Sequence, residues 1–212
     1  MVLSSDLVRM LVQDGLKRAL TKGDILIREG DHSPSLFVVL EGQLQVFSKD
    51  AKGREVVFNV LGPGEIFGEM SLDGGERSAS VRALANAECV ELHSQVVLER
   101  FRDCPELAEA VVFGLIRRLR RSTIQVRRLA LDSVANRTVA CIGDLALVEG
   151  GQMFLPTSVT QQDIANRIGA TREMVNHVFR DLVRAGVLVR DSRLGLLILR
   201  PLSPHGASEV DV

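Results

Sequence analysis

A chain of 212 residues, 46% hydrophobic and 25% charged, is long enough for one large or two small folded domains and is not a disordered composition. Its formal charge of −1 conceals an asymmetry: residues 112–200 carry 14 Arg and Lys against 7 Asp and Glu, a net +7, while the remainder nets −8. A basic C-terminal half joined to an acidic N-terminal half points to a polyanion as partner of the second half alone.

From residue 3 to 20 the apolar side chains Leu7, Val8, Leu11, Val12, Leu16 and Leu20 keep helical spacing, which predicts an amphipathic helix ending before Lys22-Gly23. Asp6 and Asp14 interrupt its apolar pattern, so the segment reads as neither a signal peptide nor a membrane span, and the chain is expected in the cytoplasm. Residues 24–92 then alternate short apolar runs (ILI, LFVVL, LQVF, VVFNVL) with turn signals at Gly30-Asp31, Glu41-Gly42, residues 50–53 and Gly62-Pro63-Gly64. Short strands with turns roughly every 8 to 12 residues predict an antiparallel barrel or jelly roll, a fold that encloses a pocket.

Helical periodicity returns over 105–131, with Pro105 where a first-turn proline is tolerated. Ala108, Val112, Leu115, Leu119, Ser122, Val126 and Leu129 step by four and three, the a/d seam of a helix that pairs with a copy of itself. Arg117, Arg118, Arg120, Arg121, Arg127 and Arg128 flank the seam, and the polar Ser122 within it suits either register control or a ligand contact. A hinge is expected within 129–136, a helix over 137–148 and a turn at Gly150-Gly151.

The stretch VTQQDIANRIGATREMVNHVFRDLVRAGVL has a tighter logic. Thr160 and Asp163 form a capping-box pattern for a helix carrying Ile164 and Ile168 inward, and Gly169 makes a turn. Thr171 caps a second helix that buries Val175, Val178, Phe179 and Leu182 and leaves Arg172, Glu173, Asn176, His177 and Arg180 on the opposite face. This is the outline of a helix-turn-helix. Residues 187–189 and 196–199 flank DSRLG as a hairpin wing, where Arg190 or Arg193 would meet phosphates, and the tail from Pro201 is expected to fray.

Residues 64–80 read GEIFGEMSLDGGERSAS. This stretch resembles the phosphate-binding cassette of cyclic-nucleotide-binding domains. With TQQDIANRIGATREMVNHVFRDL downstream, the chain resembles the catabolite activator (cyclic-AMP receptor) and fumarate–nitrate regulator, or Crp/Fnr, superfamily of bacterial transcription factors, over nearly its full length. The resemblance implies an α+β fold: an N-terminal cyclic-nucleotide-binding β-roll (jelly roll) in 1–104, a long dimerisation helix with hinge in 105–134, and a C-terminal winged helix-turn-helix in 135–212. It implies a homodimer through the 105–134 helix, cyclic AMP (cAMP) as effector, and no metal, haem or iron–sulfur cluster.

The chemistry of such a ligand accounts for the residue types. A cyclic nucleotide carries one phosphate charge and a free ribose hydroxyl. The guanidinium fork of Arg77 suits the phosphate and the acceptor-only carboxylate of Glu69 suits the hydroxyl. Gly68 admits close backbone approach, and the resemblance implies that Ser78 completes the phosphate cradle with Met70 and Ala79 beside it. The bland alternative is that Glu69 and Arg77 pair with each other. By the same resemblance, Ser122 and Thr123 take the positions that meet adenine in the family's cyclic-AMP-responsive members, one from each subunit. The family order is Thr-Ser, so this reversal leaves the base open between cAMP, cyclic GMP (cGMP) and another ligand.

At the other end, the resemblance assigns double-stranded DNA with a two-fold symmetric site to Thr171, Arg172, Glu173, Asn176, His177 and Arg180, with RNA polymerase as a further partner. His177 stands where the receptor proper has Arg. Rival classes find little support. Cys89, Cys104 and Cys141 lie far apart, with none near the N-terminus to hold a cluster, and are expected to be buried thiols. Cys89 and His93 do not suggest a haem pair, and His32, His93, His177 and His205 lack the spacing of metal ligands or a catalytic base. The chain is therefore not expected to be an enzyme; the alternative kept open is a regulator that binds DNA constitutively.

Overall fold

The computed structural model describes residues 2–191 and 193–199; the expected fraying from Pro201 lies outside them. Helix α1 (Ser5–Asp14) opens on Ser4, whose Oγ accepts from the Leu7 amide. It stops at Asp14, well short of the expected end at Leu20. Gly15 is extended, and a Cβ there would fall 2.2 Å from Val90 Cγ1 and 2.8 Å from the Glu91 carbonyl oxygen. The chain continues instead as strand β1 (Leu16–Leu20), antiparallel to β8 (Ala87–His93), with Lys17 paired to Glu88 and Arg18 to Glu91. Cross-strand pairing has overridden helical periodicity there.

Between them lie β2 (Ile25–Ile27), β3 (Ser35–Glu41), β4 (Leu44–Lys49), β5 (Glu55–Leu61), β6 (Ile66–Phe67) and β7 (Ser80–Ala83). They form two sheets, ordered β1-β8-β3-β6 and β2-β7-β4-β5, the expected roll. Strand β3 explains why LFVVL lacks polar alternation: both faces of its sheet are covered. Phe37 and Val39 join Leu44, Leu61, Phe67, Val81 and Cys89 inside the roll, with the Phe37 and Phe67 rings stacked 5.2 Å apart. Leu36 and Val38 point the other way, into a second cluster with Leu11 of α1, Val97 of α2 (Ser94–Asp103), and Leu107 and Val111 of α3 (Pro105–Leu131). Each buried side chain of this size contributes about 1.5–3 kcal/mol.

Helix α2 is additional to the sequence expectation. His93 Nδ1 accepts from the Gln95 amide to cap it, and along it Val97 is buried with Val96 and Phe101 partly buried beside it. Its Arg100 holds Asp14 of α1 through two hydrogen bonds of 2.6 and 2.8 Å.

Contact density divides the chain into two units within α3, after Ser122; Arg54–Val56 is grouped with the second. In the second unit, α4 (Val134–Leu145) begins earlier than expected because the Ser133 hydroxyl caps it at the Asn136 amide. It ends at Leu145, since Leu147–Glu149 is not helical but strand β9, paired with β10 (Gln152–Leu155) across Gly150-Gly151. Both glycines have positive φ, which that tight turn requires. Within 129–136, where a hinge is expected, the break between α3 and α4 is Asp132 and Ser133. Arg137 Nη1 donates to the Leu129 and Asp132 carbonyls at 3.1 and 3.2 Å, and Arg128 pairs with Asp144 at 3.2 Å.

Next come α5 (Gln161–Ile168), α6 (Arg172–Arg184), β11 (Leu188–Asp191) and β12 (Gly195–Ile198), in a sheet ordered β11-β12-β10-β9. Ile142, Leu155, Ile164, Ile168, Val175, Val178, Phe179, Leu182 and Leu188 form one core beneath the two helices. Among the described residues no helix is long and apolar enough to cross a membrane, and no cluster of three or more His, Cys, Asp or Glu is placed to hold a metal ion. All three cysteines are free; Cys104 is half-buried rather than buried, whereas burial pushes the thiols of Cys89 and Cys141 up to about 12 and about 11.

Candidate ligand cassette and nucleic-acid interface

Strand β6 runs into Gly68, whose φ of 82° lies in the left-handed region. A Cβ there would stand 2.8 Å from Arg77 Nη1 and 3.0 Å from the Ser35 carbonyl, so both backbone shape and space demand glycine. A 3₁₀ turn, Glu69–Asp73, follows and closes on Gly74 at φ 84°. This turn bends the chain back so that Arg77 passes beneath Gly68.

Arg77 is only 4% exposed. Its Nη1 donates to the Gly68 carbonyl at 3.0 Å and to Ser71 Oγ at 2.7 Å; its Nη2 donates to the Ser35 carbonyl at 2.7 Å and to Ser33 Oγ at 3.2 Å. Ser71 in turn donates to the Gly68 carbonyl at 2.9 Å. All four acceptors are neutral, and Nε is buried with no hydrogen-bond partner. Burial lowers the pKa of the guanidinium, opposed by the fields of Glu91, Glu69 and Asp31, none of which bonds to it. A cation held in this way, without an ion partner, gains from an anion brought to it.

Glu69 is 8% exposed and does not pair with Arg77. Its Oε1 instead accepts from Nη1 of Arg118 on α3, whose Nη2 donates to the Ile66 carbonyl. Glu69 Oε2 is buried and unpartnered, an acceptor available to a hydroxyl. In the sequence Arg118 is one of six arginines. What sets it apart is the row Leu107, Val111, Gly114 and Arg118, whose first three members are the buried residues of α3.

The remaining cassette positions are less closely gathered. Ser78 is exposed, and its hydroxyl donates to Met70 Sδ at 3.2 Å; Ala79 is half-buried. Ser122 and Thr123 are exposed on α3. So are the seam residues Val112, Leu115, Leu119, Val126 and Leu129, with Leu119 reaching 69%.

The second site is built from two caps. Thr160 Oγ1 accepts from the Asp163 amide at 3.1 Å while Asp163 accepts from the Thr160 amide at 2.8 Å, a complete capping box at the start of α5. Gly169, at φ 64°, ends α5, and Thr171 Oγ1 accepts from the Met174 amide to open α6. Val175, Val178, Phe179 and Leu182 face the core, and Thr171, Arg172, Glu173, Asn176, His177 and Arg180 are all exposed. Backbone and Thr171 hydrogen bonds hold the Glu173 carboxyl below its ordinary range, so it stays an acceptor. His177 sits between Arg180 and Asp181, at 3.4 Å from each. Arg190 is exposed on the wing, whereas Arg193 pairs with Glu149 at 3.6 Å.

A β-roll sensor ahead of a winged helix-turn-helix defines a DNA-binding regulator that carries its own ligand domain. Comparison with known proteins agrees: residues 17–104 match the cyclic nucleotide-binding domain and residues 136–202 the Crp-like helix-turn-helix domain. The chain is 32% identical over 173 residues, 81% of its length and 79% of the relative's, to the cyclic AMP receptor protein of Thermus thermophilus. It is 29% identical over 184 residues, 81% of its length and 82% of the relative's, to a CRP-like cAMP-activated global transcriptional regulator of Mycobacterium tuberculosis. Among solved structures it resembles the c-di-GMP responsive global regulator CLP of Xanthomonas campestris, with TM-score 0.81 and 25% identity over 92% of this chain and 99% of that one. The chain belongs to the Crp/Fnr family, whose members regulate transcription and are not enzymes.

Proposed function

We propose that this regulator is a cytoplasmic homodimer whose DNA binding is controlled by a purine cyclic nucleotide in the roll. The functional segments are 1–104 as sensor, 105–134 as dimerisation helix with hinge, and 135–212 as DNA reader. The observation that carries this reading is the pair of unsatisfied buried atoms, Arg77 Nε and Glu69 Oε2. A lone buried donor or acceptor costs about 1–3 kcal/mol. A ligand with an anionic phosphodiester and a ribose hydroxyl satisfies both. Gly68 and Ser78 supply backbone access and a further hydroxyl, and Met70 and Ala79 border the loop. cAMP and the guanine dinucleotide c-di-GMP, the effectors named for the relatives, both have this chemistry.

Dimerisation is supported by the exposed stripe of Val112, Leu115, Leu119, Val126 and Leu129, which steps as a heptad seam. Ser122 and Thr123 stand in and beside that seam, where a ligand touching two copies would bias their packing and so gain different affinities for two states. On α6, Arg172 suits guanine O6 and N7, Glu173 a cytosine amino group, and Asn176, His177 and Arg180 lie on the same exposed face. The two readers of a dimer require a two-fold symmetric site with half-sites about one helical turn apart, and RNA polymerase is the proposed partner at a promoter. Calorimetric titration of the full chain with cAMP, cGMP and c-di-GMP, paired with sedimentation, tests this reading. A saturable heat from a dimer is expected; no heat from any of the three would contradict it.

A further inference from the structure

Given the ligand site proposed above, we infer that Arg121 selects the base, and that the base is guanine. The buried row Leu107, Val111 and Gly114 continues into Arg118, which holds Glu69, in steps of four, three and four. The next positions of that row are 121 and 122. They lie on the same side of α3, about 4.5 and 6 Å further along its axis than Arg118. A nucleoside whose ribose hydroxyl meets Glu69 Oε2 therefore has Arg121 and Ser122 on the next turn, at the place left for its base.

Arg121 is exposed and, among the described residues, makes no hydrogen bond or ion pair. No acidic residue occupies α3 between Glu109 and its end at Leu131, so nothing along the helix competes for the guanidinium. Arg117 and Arg120 are free as well, but they fall off the row that continues from Arg118.

Arginine is a donor only. Guanine presents two adjacent acceptors, O6 and N7, which one guanidinium meets bidentately; adenine offers the acceptor N7 beside the donor N6 amino group, which opposes it. The Ser122 hydroxyl, both donor and acceptor, serves either base and does not decide between them. Arg121 does.

The test separates base from phosphate by titrating the full-length chain with cAMP, cGMP, c-di-AMP and c-di-GMP. Each guanine ligand is expected to bind more tightly than its adenine counterpart, by roughly 5- to 150-fold, the range set by one bidentate contact. In Arg121→Leu that ratio falls toward one, and in Arg121→Lys it recovers only in part, because a point charge lacks the fork. The exposed position leaves the fold intact in both variants, which a thermal melt verifies. Equal binding of guanine and adenine ligands by the unaltered chain, or a ratio unchanged in Arg121→Leu, overturns the inference while leaving the nucleotide site standing. Silence from all four ligands removes the site and the inference together.

Discussion

Arg118 of α3 holds Glu69 of the cassette, so the acid of the loop is tied to the helix and not to the loop's own arginine. A carboxylate that is 8% exposed keeps one oxygen paired and the other vacant. The expected alternative use of Glu69 and Arg77, as partners of each other, is replaced by two separate arrangements. One is an acid on a helix arginine; the other is a cation on neutral oxygens.

Breaking one side of the first arrangement is predicted to cost more than removing both. Arg118→Met leaves Glu69 buried without its cation and lowers stability by about 1–3 kcal/mol, a range reduced because the arginine is partly exposed. Glu69→Gln with Arg118→Met recovers part of the loss. Urea melts of the two single variants and the double variant measure the coupling; strictly additive losses would argue against a direct pair.

Arg77→Leu would be harmless to the fold if the cation merely bordered the pocket. The buried hydrogen bonds change the expectation. Removing them takes this donor from the Ser35 carbonyl and the Ser33 hydroxyl and leaves Ser71 and the Gly68 carbonyl with only their bond to each other, and stability falls by about 2 kcal/mol or more. Nucleotide binding is lost in the same variant. Arg77→Lys, which keeps the charge but not the fork, is predicted to retain more stability than affinity. A melt without nucleotide, set beside calorimetry with it, separates the two effects.

Acid is predicted to loosen α1 from α2. The hydrogen bond from Arg100, aided by its charge and opposed by burial, holds the Asp14 carboxyl below its ordinary value. With the folded pKa lowered, this stabilisation is complete above the unfolded value near 3.9 and disappears as pH falls through the folded one. Asp14→Asn should therefore be less stable than the unaltered chain at neutral pH and converge with it in strong acid. Parallel stability curves across that range would rule the linkage out.

Arg172→Ala is predicted to weaken specific DNA binding by about 1–3 kcal/mol while nonspecific binding changes much less. Salt titrations on a selected site and on unrelated DNA check this. Equal losses on both would make Arg172 a phosphate contact.

Much of this architecture can be read from residue order, because its signals are local. Gly30-Asp31, Glu41-Gly42 and Gly62-Pro63-Gly64 punctuate the strands, and the capping box of Thr160 and Asp163 announces α5. Errors arise where distant pairing wins. Leu16 and Leu20 keep a helical beat, yet Gly15 packs on β8 and turns them into a strand. Val148 likewise belongs to a hairpin through its partner Met153. The cassette is legible as composition, from GE to R, but not as connectivity. Nothing local tells Arg118 from Arg117 or Arg121; only the burial of Leu107, Val111 and Gly114 fixes which arginine faces Glu69.

The central claim, that a nucleotide in the roll governs DNA binding, is tested most directly by fluorescence anisotropy on a symmetric DNA site selected by the protein itself, with and without saturating cAMP, cGMP or c-di-GMP. The account predicts that at least one nucleotide raises affinity roughly 5- to 150-fold, and that Arg77→Lys reduces this gain. The same DNA affinity under all four conditions would contradict it and leave a regulator that binds DNA without a nucleotide signal.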